Sequence, residues 1–125
     1  MKKIAVIDDD PDIVEATTFL LQSKGYNVVS ASNVEDALEL VQHENPDLVV
    51  LDVMLTEADD GFYLANKFRN MGFKMPIIML TSITKVTGYG YGKNTILPID
   101  EFLEKPVSST LLIEKVEALL EQRKD

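Results

Sequence analysis

Five short strand-like runs alternate along the chain with segments of helical periodicity, and this alternation limits the folds open to it. The runs lie at residues 4–7, 26–31, 48–51, 77–80 and 101–103. Three of them contain only apolar residues, which is typical of strands buried on both faces of a parallel sheet. Parallel neighbours need crossover connections, which the helical segments supply. The pattern predicts one α/β domain over residues 1–125, a doubly wound five-stranded parallel sheet of order 2-1-3-4-5 with helices on both faces.

Capping signals indicate where the helices begin. Asp10 stands directly before a proline, which is typical of an N-cap followed by the first helical position. Ser32 with Glu35 matches a capping box, so we expect the second helix to start there. Helical periodicity also predicts a helix over about residues 61–70 and a last helix that starts near Ser108.

The segment from Ile83 to Asp100 does not follow this regular pattern. It contains three glycines and several β-branched residues. Each glycine costs a helix about 1 kcal/mol relative to alanine. We therefore expect the fourth helix to be short, frayed or irregular.

Composition restricts the partners. The net charge of −9 repels phosphate backbones, so direct binding to nucleic acid or to an anionic membrane is disfavoured. The chain has no cysteine, which excludes disulfides and thiolate metal sites. Only four apolar residues lie between Lys3 and the first acidic run, too few for a signal peptide or a membrane span. We expect a soluble, cytoplasmic protein that binds cations or basic partner surfaces.

Polar residues stand where four of the five predicted strands end. Asp8 and Asp9 follow the first strand, Asp52 the third, Thr81 the fourth and Lys105 the fifth. The carboxyl ends of parallel strands share one edge of the sheet, which is where such folds bind their ligands. These five side chains should therefore lie close together.

The expected cluster needs a positive partner. Carboxylates about 5 Å apart repel by roughly 3 kcal/mol per pair at an effective dielectric constant of 20. Mg²⁺ fits, because it binds one or two carboxylates, keeps several waters and leaves a position for a phosphate oxygen. An anionic nucleophile that attacks a phosphoryl group also needs charge neutralisation, which the metal and Lys105 would supply. The residues thus predict that Asp52 accepts a phosphoryl group and that Thr81 hydrogen-bonds one of its oxygens.

Four motifs carry a family resemblance. They are Val6-Ile7-Asp8-Asp9-Asp10, Leu51-Asp52-Val53-Met54-Leu55, Leu80-Thr81-Ser82 and Glu104-Lys105-Pro106. Each string is weak alone, but together, in this order and spacing, they resemble the receiver domain of two-component response regulators over nearly the whole chain. The resemblance implies a flavodoxin-like receiver fold, in the single-domain form seen in chemotaxis regulators.

The resemblance also implies roles at the metal side of the site. Asp52 is expected to be the phosphoacceptor. Asp8 and Asp9 are expected to be the acidic pair that holds Mg²⁺ together with Asp52, and the backbone carbonyl of Met54 is expected to complete the protein ligands.

Further roles concern signalling. By resemblance, Thr81 and Phe102 are the switch hydroxyl and the switch aromatic, and Lys105 contacts the phosphate before a cis Pro106. The phosphoryl donor would be a phosphohistidine on a sensor histidine kinase or a phosphotransfer protein. The chain would be a regulatory protein that signals through a protein target, and its own phosphorylation and dephosphorylation would be the only steps it catalyses.

Two alternatives remain open. Asp52 could serve a phosphatase of the haloacid dehalogenase kind, although that chemistry needs a second acid two residues later, where Met54 stands. The irregular segment from Ile83 to Asp100 could instead belong to a pseudo-receiver that binds partners without phosphorylation. Acids before a helix also have an ordinary role, since they complement the helix dipole.

Overall fold

The computed structural model describes residues 2–52, 60–81, 99–105 and 107–122. The elements in chain order are β1 (Lys3–Ile7), α1 (Pro11–Ser23), β2 (Asn27–Ala31), α2 (Val34–Glu44), β3 (Leu48–Asp52), α3 (Asp60–Asn70), β4 (Ile77–Thr81), β5 (Glu101–Glu104) and α4 (Ser109–Gln122). All five strands pair in parallel in the order β2-β1-β3-β4-β5. The sheet predicted from the alternation of apolar runs is confirmed.

Burial follows the position of each strand in the sheet. Every residue of β3 and β4 is buried, and so are four of the five residues of β1. The edge strands β2 and β5 are mostly half-buried or exposed. The apolar runs therefore form the central strands, as expected for a parallel sheet that is covered on both faces.

Two apolar clusters lie on opposite faces of the sheet. Alternate strand residues such as Ile7 and Leu51 pack with α2 and α3 on one face. The residues between them, such as Val6 and Val50, pack with α1 and α4 on the other face. This division follows from the two-residue repeat of strand side chains. Helices on both faces are thus confirmed within the described ranges.

The first and last helices begin as predicted. The Asp10 side chain accepts a hydrogen bond from the Asp12 amide and is the N-cap of α1. The hydroxyl of Ser108 accepts a hydrogen bond of 3.0 Å from the Leu111 amide at the start of α4. Gly25 follows the end of α1 with φ +94, a left-handed conformation that glycine adopts without strain.

The prediction for the start of α2 is wrong by one residue. Asn33, rather than Ser32, is the N-cap, and its side-chain oxygen accepts a hydrogen bond of 2.8 Å from the Asp36 amide. Asparagine caps helices as well as serine does, and Asp36 takes the position expected for Glu35. Two overlapping cap sequences compete here, and local pattern alone does not decide between them.

The expected irregular fourth helix lies mostly outside the described residues, since 82–98 fall in a gap between the described ranges. That expectation remains a prediction. None of the described helices is long and apolar enough to cross a lipid bilayer.

Near the amino ends of the strands, Lys3 makes two links. Its side-chain nitrogen lies 2.7 Å from a carboxylate oxygen of Glu44, and its amide donates to Asp47 at 2.8 Å. The hydrogen bond from Lys3 lowers the pKa of Glu44. These contacts join β1 to the end of α2 and to the residue before β3.

A second link at this end is centred on Arg69. Its guanidinium donates to the carbonyl oxygens of Phe73 and Met75 and lies 3.2 Å from a carboxylate oxygen of Asp100. The same oxygen of Asp100 accepts a hydrogen bond of 2.8 Å from the Ile77 amide. The end of α3 is thereby joined to the starts of β4 and β5.

Candidate metal and phosphoacceptor site

Three polar side chains are buried among the described residues, and all three lie at the carboxyl ends of strands. Asp8 follows β1 and is 2% exposed, Asp52 ends β3 and is 6% exposed, and Thr81 ends β4 and is 5% exposed. Burying an ionised carboxylate is costly unless a partner or a cation compensates for the lost water. The structure thus brings these predicted site residues to one edge of the sheet.

Three carboxylates meet at this edge. Asp8, Asp9 and Asp52 each offer an oxygen, and these three oxygens lie within 4.8 Å of one another. At that separation each pair repels by about 3 kcal/mol at an effective dielectric constant of 20. The Asp10 amide donates a hydrogen bond of 3.0 Å to one oxygen of Asp8, which orients that carboxylate. Such a set of hard oxygen donors fits a divalent cation such as Mg²⁺.

Lys105 supplies positive charge at the same edge. Its ammonium nitrogen lies 3.3 Å from an oxygen of Asp8 and 3.3 Å from an oxygen of Asp52. The Lys105 side chain is only 19% exposed, so these pairs are less screened than surface ion pairs. Its amide also donates a hydrogen bond of 2.7 Å to the Thr81 carbonyl oxygen, which joins the ends of β5 and β4.

Charge counting indicates what the cluster still needs. Among the residues that the structure describes at this edge, three ionised carboxylates carry −3 and the Lys105 ammonium carries +1, which leaves −2. A single divalent cation would neutralise that remainder. A solvent-open cavity of about 840 Å³ is lined in part by Asp8 and Asp9, so it adjoins the cluster on that side.

The two predicted switch residues share one face of the sheet. In the register of β4 and β5, Thr81 lies beside Glu104. Met79 lies beside Phe102, and this pair stands two residues earlier on both strands. Because strand side chains alternate, Thr81 and Phe102 both point to the face covered by α2 and α3. Phe102 is half-buried, and its ring lies 6.1 Å from the ring of Phe62, centre to centre, at an interplanar angle of 43°.

Sequence reasoning missed Phe62. The residue lies in the first turn of α3, close in sequence to Asp52, and its contact with Phe102 spans 40 positions of the chain. An aromatic residue at the start of the helix after the strand that ends in Asp52 is the signal that could have drawn attention to it. Met54 and Pro106 lie outside the described residues, so the carbonyl ligand and the cis peptide remain predictions.

The sheet order and this site define a class of protein. A sequence model of the response regulator receiver domain matches residues 4–117, which is most of the chain. The chain therefore belongs to the receiver domain family of two-component response regulators. Receiver domains are regulatory phosphoacceptor modules.

Particular relatives agree with this assignment. The chain is 37% identical over 123 residues to the alkaline phosphatase synthesis transcriptional regulatory protein PhoP of Bacillus subtilis (strain 168), and the match covers 95% of this chain and 48% of PhoP. The chain thus spans about half the length of that curated relative.

Solved structures give the same result. A two-component response regulator from Clostridium difficile matches with a TM-score of 0.85 and 29% identity, and the match covers 100% of both chains. The BeF3-activated receiver domain of RstA from Klebsiella pneumoniae matches with a TM-score of 0.80 and 28% identity, covering 94% of this chain and 97% of that one. The CheY-like receiver domain protein of Methanospirillum hungatei JF-1 matches with a TM-score of 0.86 and 27% identity, covering 98% and 95%.

Proposed function

We propose that this chain is a cytoplasmic phosphoacceptor switch. Asp52 takes a phosphoryl group from a phosphohistidine on a sensor histidine kinase or a phosphotransfer protein, in a reaction that depends on Mg²⁺. The modified domain then signals through a protein target. The observation that carries the proposal is the buried Asp52 carboxylate, which lies 3.3 Å from Lys105 in a cluster of three acids.

In the proposed transfer, an oxygen of Asp52 forms a bond to phosphorus. The phosphorus–nitrogen bond of the donor breaks, and its electron pair stays on the imidazole nitrogen. Asp8, Asp9 and Asp52 would hold Mg²⁺, together with the Met54 carbonyl that the family resemblance implies. When bound, Mg²⁺ offsets the negative charge of the phosphoryl oxygens during transfer.

Lys105 has a second task once the phosphate is attached. A phosphoryl group carries about −1.5 to −2 charge at neutral pH, so it attracts the ammonium more strongly than either carboxylate does. We propose that Lys105 donates to a phosphoryl oxygen during the transfer, where it stabilises the charge of the transition state, and that it keeps this contact once the phosphate is attached. Because the Lys105 amide is bonded to the Thr81 carbonyl, both residues stay beside the modified Asp52.

Thr81 would report the modification. Its side chain is 5% exposed at the end of β4. We propose that its hydroxyl donates a hydrogen bond to a phosphoryl oxygen and that Phe102, on the same face, changes position with it. The chain is regulatory in this scheme, and it catalyses only its own phosphorylation from small donors and its own dephosphorylation.

The downstream target is proposed to be a protein. The net charge of −9 disfavours direct contact with nucleic acid. The curated relative is named a transcriptional regulatory protein, and this chain matches about half of it. Any output on transcription would therefore pass through protein contacts made by this domain.

Intact-mass measurement after incubation with acetyl phosphate and Mg²⁺ tests the proposal. Wild type and an Asp100→Asn control, altered at the opposite end of the sheet, should each gain one stable phosphate, and Asp52→Asn should gain none. Consumption of acetyl phosphate without retained phosphate would favour the phosphatase. The absence of any reaction in wild type would favour an interaction module that acts without phosphorylation.

A further inference from the structure

We propose that Phe62 is a positioning residue for the switch aromatic Phe102. The two rings lie 6.1 Å apart, centre to centre, and are tilted by 43°. This separation lies in the range where aromatic rings attract one another beyond simple burial. The inference rests on the proposed function, because it assumes that Phe102 moves when Asp52 is modified.

The two rings differ in how firmly the rest of the fold holds them. Phe62 lies in the first turn of α3, a helix anchored by four buried residues, Gly61, Leu64, Ala65 and Phe68. Phe102 lies on the four-residue edge strand β5, which pairs with β4 in the described part of the sheet. Phe62 is therefore the stationary side of the contact, and Phe102 is the side that can move.

The burial of the two rings supports the same distinction between a stationary and a mobile side of the contact. Both phenylalanines are half-buried, and both pack against the apolar cluster on the α2 and α3 face. A ring that is fully enclosed in a core has one accessible position. A half-buried ring has solvent on one side, so contacts with its neighbours determine the fraction of time that the ring points into the core. Among the described residues, Phe62 provides an aromatic ring against Phe102.

The contact also links two segments that lead to the site. Phe102 precedes Lys105 by three residues on the same strand and loop, and Phe62 follows Asp52 by ten residues. Lys105 lies 3.3 Å from Asp52. A shift of β5 relative to α3 would therefore change the ring contact and the lysine contact together. Phe62 thus provides a fixed surface for the Phe102 ring, and such a shift changes the contact between the two rings.

The competing explanation is that Phe62 only fills space in the core. Phe73 provides a matched control, because it is also a half-buried phenylalanine packed on the same apolar cluster. It lies beyond the other end of α3, in the connection to β4. If Phe62 only contributes packing, substitutions of Phe62 and of Phe73 should change the Phe102 ring alike. If Phe62 positions Phe102, only the Phe62 substitutions should change it.

The experiment uses fluorine NMR on protein labelled with 4-fluorophenylalanine, with the Phe102 signal assigned by its loss in Phe102→Tyr. A soluble gadolinium chelate reports how exposed each ring is. Spectra are recorded with Mg²⁺ alone and with Mg²⁺ plus beryllofluoride, the activating ligand of the RstA relative. The variants are Phe62→Ala, the milder Phe62→Leu, the ring-preserving Phe62→Tyr and the control Phe73→Leu.

We expect Phe62→Ala and Phe62→Leu to shift Phe102 towards exposed positions by about fivefold in population, the size that loss of one ordinary ring pair gives. The change in Phe102 broadening on adding beryllofluoride should fall to less than half of the wild-type change. Phe62→Tyr should restore both values, and Phe73→Leu should alter neither.

Two failures can be told apart. If wild type responds to beryllofluoride and Phe62→Leu leaves the Phe102 signal unchanged, the role of Phe62 is overturned and the proposed function stands. If wild type shows no response to beryllofluoride at any ring, the proposed function is overturned, and the switching role of this contact is overturned with it.

Discussion

The two ends of the sheet carry charged residues in different arrangements. At the amino ends of the strands, lysine meets glutamate and arginine meets aspartate, and these groups are all partly exposed. At the carboxyl ends, three carboxylates share one lysine, and two of the three are buried. In the described part of the chain, the lysine and the arginine at the first end are each paired with an acid, and the cluster of three carboxylates and one lysine at the other end carries an excess of two negative charges.

The contrast between the two ends distinguishes ion pairs that contribute to the stability of the fold from a charge cluster that is expected to serve function. Exposed pairs contribute little each, because water and salt screen them. A buried, unbalanced cluster lowers the stability of the metal-free protein, since like charges repel across a short distance. Such a cluster is useful if the protein must bind a cation and then accept further negative charge. Four predictions test this division, in order of decreasing effect.

The largest effect is expected from Lys105→Met. The variant leaves Asp8 and Asp52 buried without their ammonium partner, and removing one partner of a buried pair is strongly destabilising. We expect a loss of about 2–3 kcal/mol in the free energy of unfolding without divalent cations, somewhat below the range for fully buried pairs. Phosphorylation by acetyl phosphate should slow by about 100-fold.

Urea unfolding and intact-mass kinetics measure these two effects. Lys3→Met, which removes the lysine at the amino end, is the matched control. It should lose less than about 1 kcal/mol and keep the wild-type phosphorylation rate. Equal losses from both lysine variants would contradict the comparison.

Mg²⁺ should stabilise the carboxyl end alone. A ligand that binds only the folded state adds about 1.4 kcal/mol at ten times its dissociation constant and about 2.7 kcal/mol at one hundred times. We expect this gain in wild type and in Glu44→Gln, its removal by a chelator, and its loss in Asp9→Asn. Thermal unfolding with and without the cation provides the measurement. An unchanged gain in Asp9→Asn would remove that residue from the metal site.

Asp100→Ala should destabilise the protein without affecting the chemistry. The variant removes an acceptor that serves both the Ile77 amide and the Arg69 guanidinium. We expect a cost of about 1–2 kcal/mol, because these hydrogen bonds involve charged groups but are partly exposed. The rate of phosphorylation per folded molecule should stay within twofold, roughly, of wild type, since the change is remote from the reacting groups. A phosphorylation rate reduced tenfold or more, roughly, would show that the two ends are coupled.

The smallest effect concerns Glu44 and pH. Its folded-state pKa is lowered by the hydrogen bond and charge of Lys3 from the usual 4.5. A lowered carboxyl pKa contributes stability above the unfolded value, and this contribution disappears as pH falls through the folded value. Glu44→Gln should therefore differ from wild type at neutral pH, by no more than about 2 °C in Tm, and converge with it in acid. A difference that grows as the pH falls below 4.5 would contradict this assignment.

Much of the fold and most of the site could be predicted from the sequence. The apolar runs determine which strands are central, and a residue that directly follows a strand must lie at the strand's carboxyl edge. Asp8, Asp52 and Thr81 were therefore predictable as neighbours although they are far apart in the chain. Their pairing with Lys105 followed from the same geometry.

Other contacts could not be predicted, because no local sequence pattern indicates them. The link between Arg69 and Asp100 joins side chains 31 residues apart, and neither stands in a recognisable motif. The N-cap of α2 was displaced by one residue because Ser32 and Asn33 are both good caps. The ring contact of Phe62 with Phe102 depends on where α3 lies over the sheet, which periodicity does not specify.

The position of Lys105 midway between two acids has a practical consequence for anyone who wishes to imitate the modified protein. The proposed phosphorylation of Asp52 would add about one further unit of negative charge beside that ammonium. A glutamate at position 52 lengthens the side chain but leaves the electrostatic total unchanged. Asp52→Glu therefore tests only the effect of side-chain length. A mimic of the phosphorylated state must add a further negative charge, as beryllofluoride does.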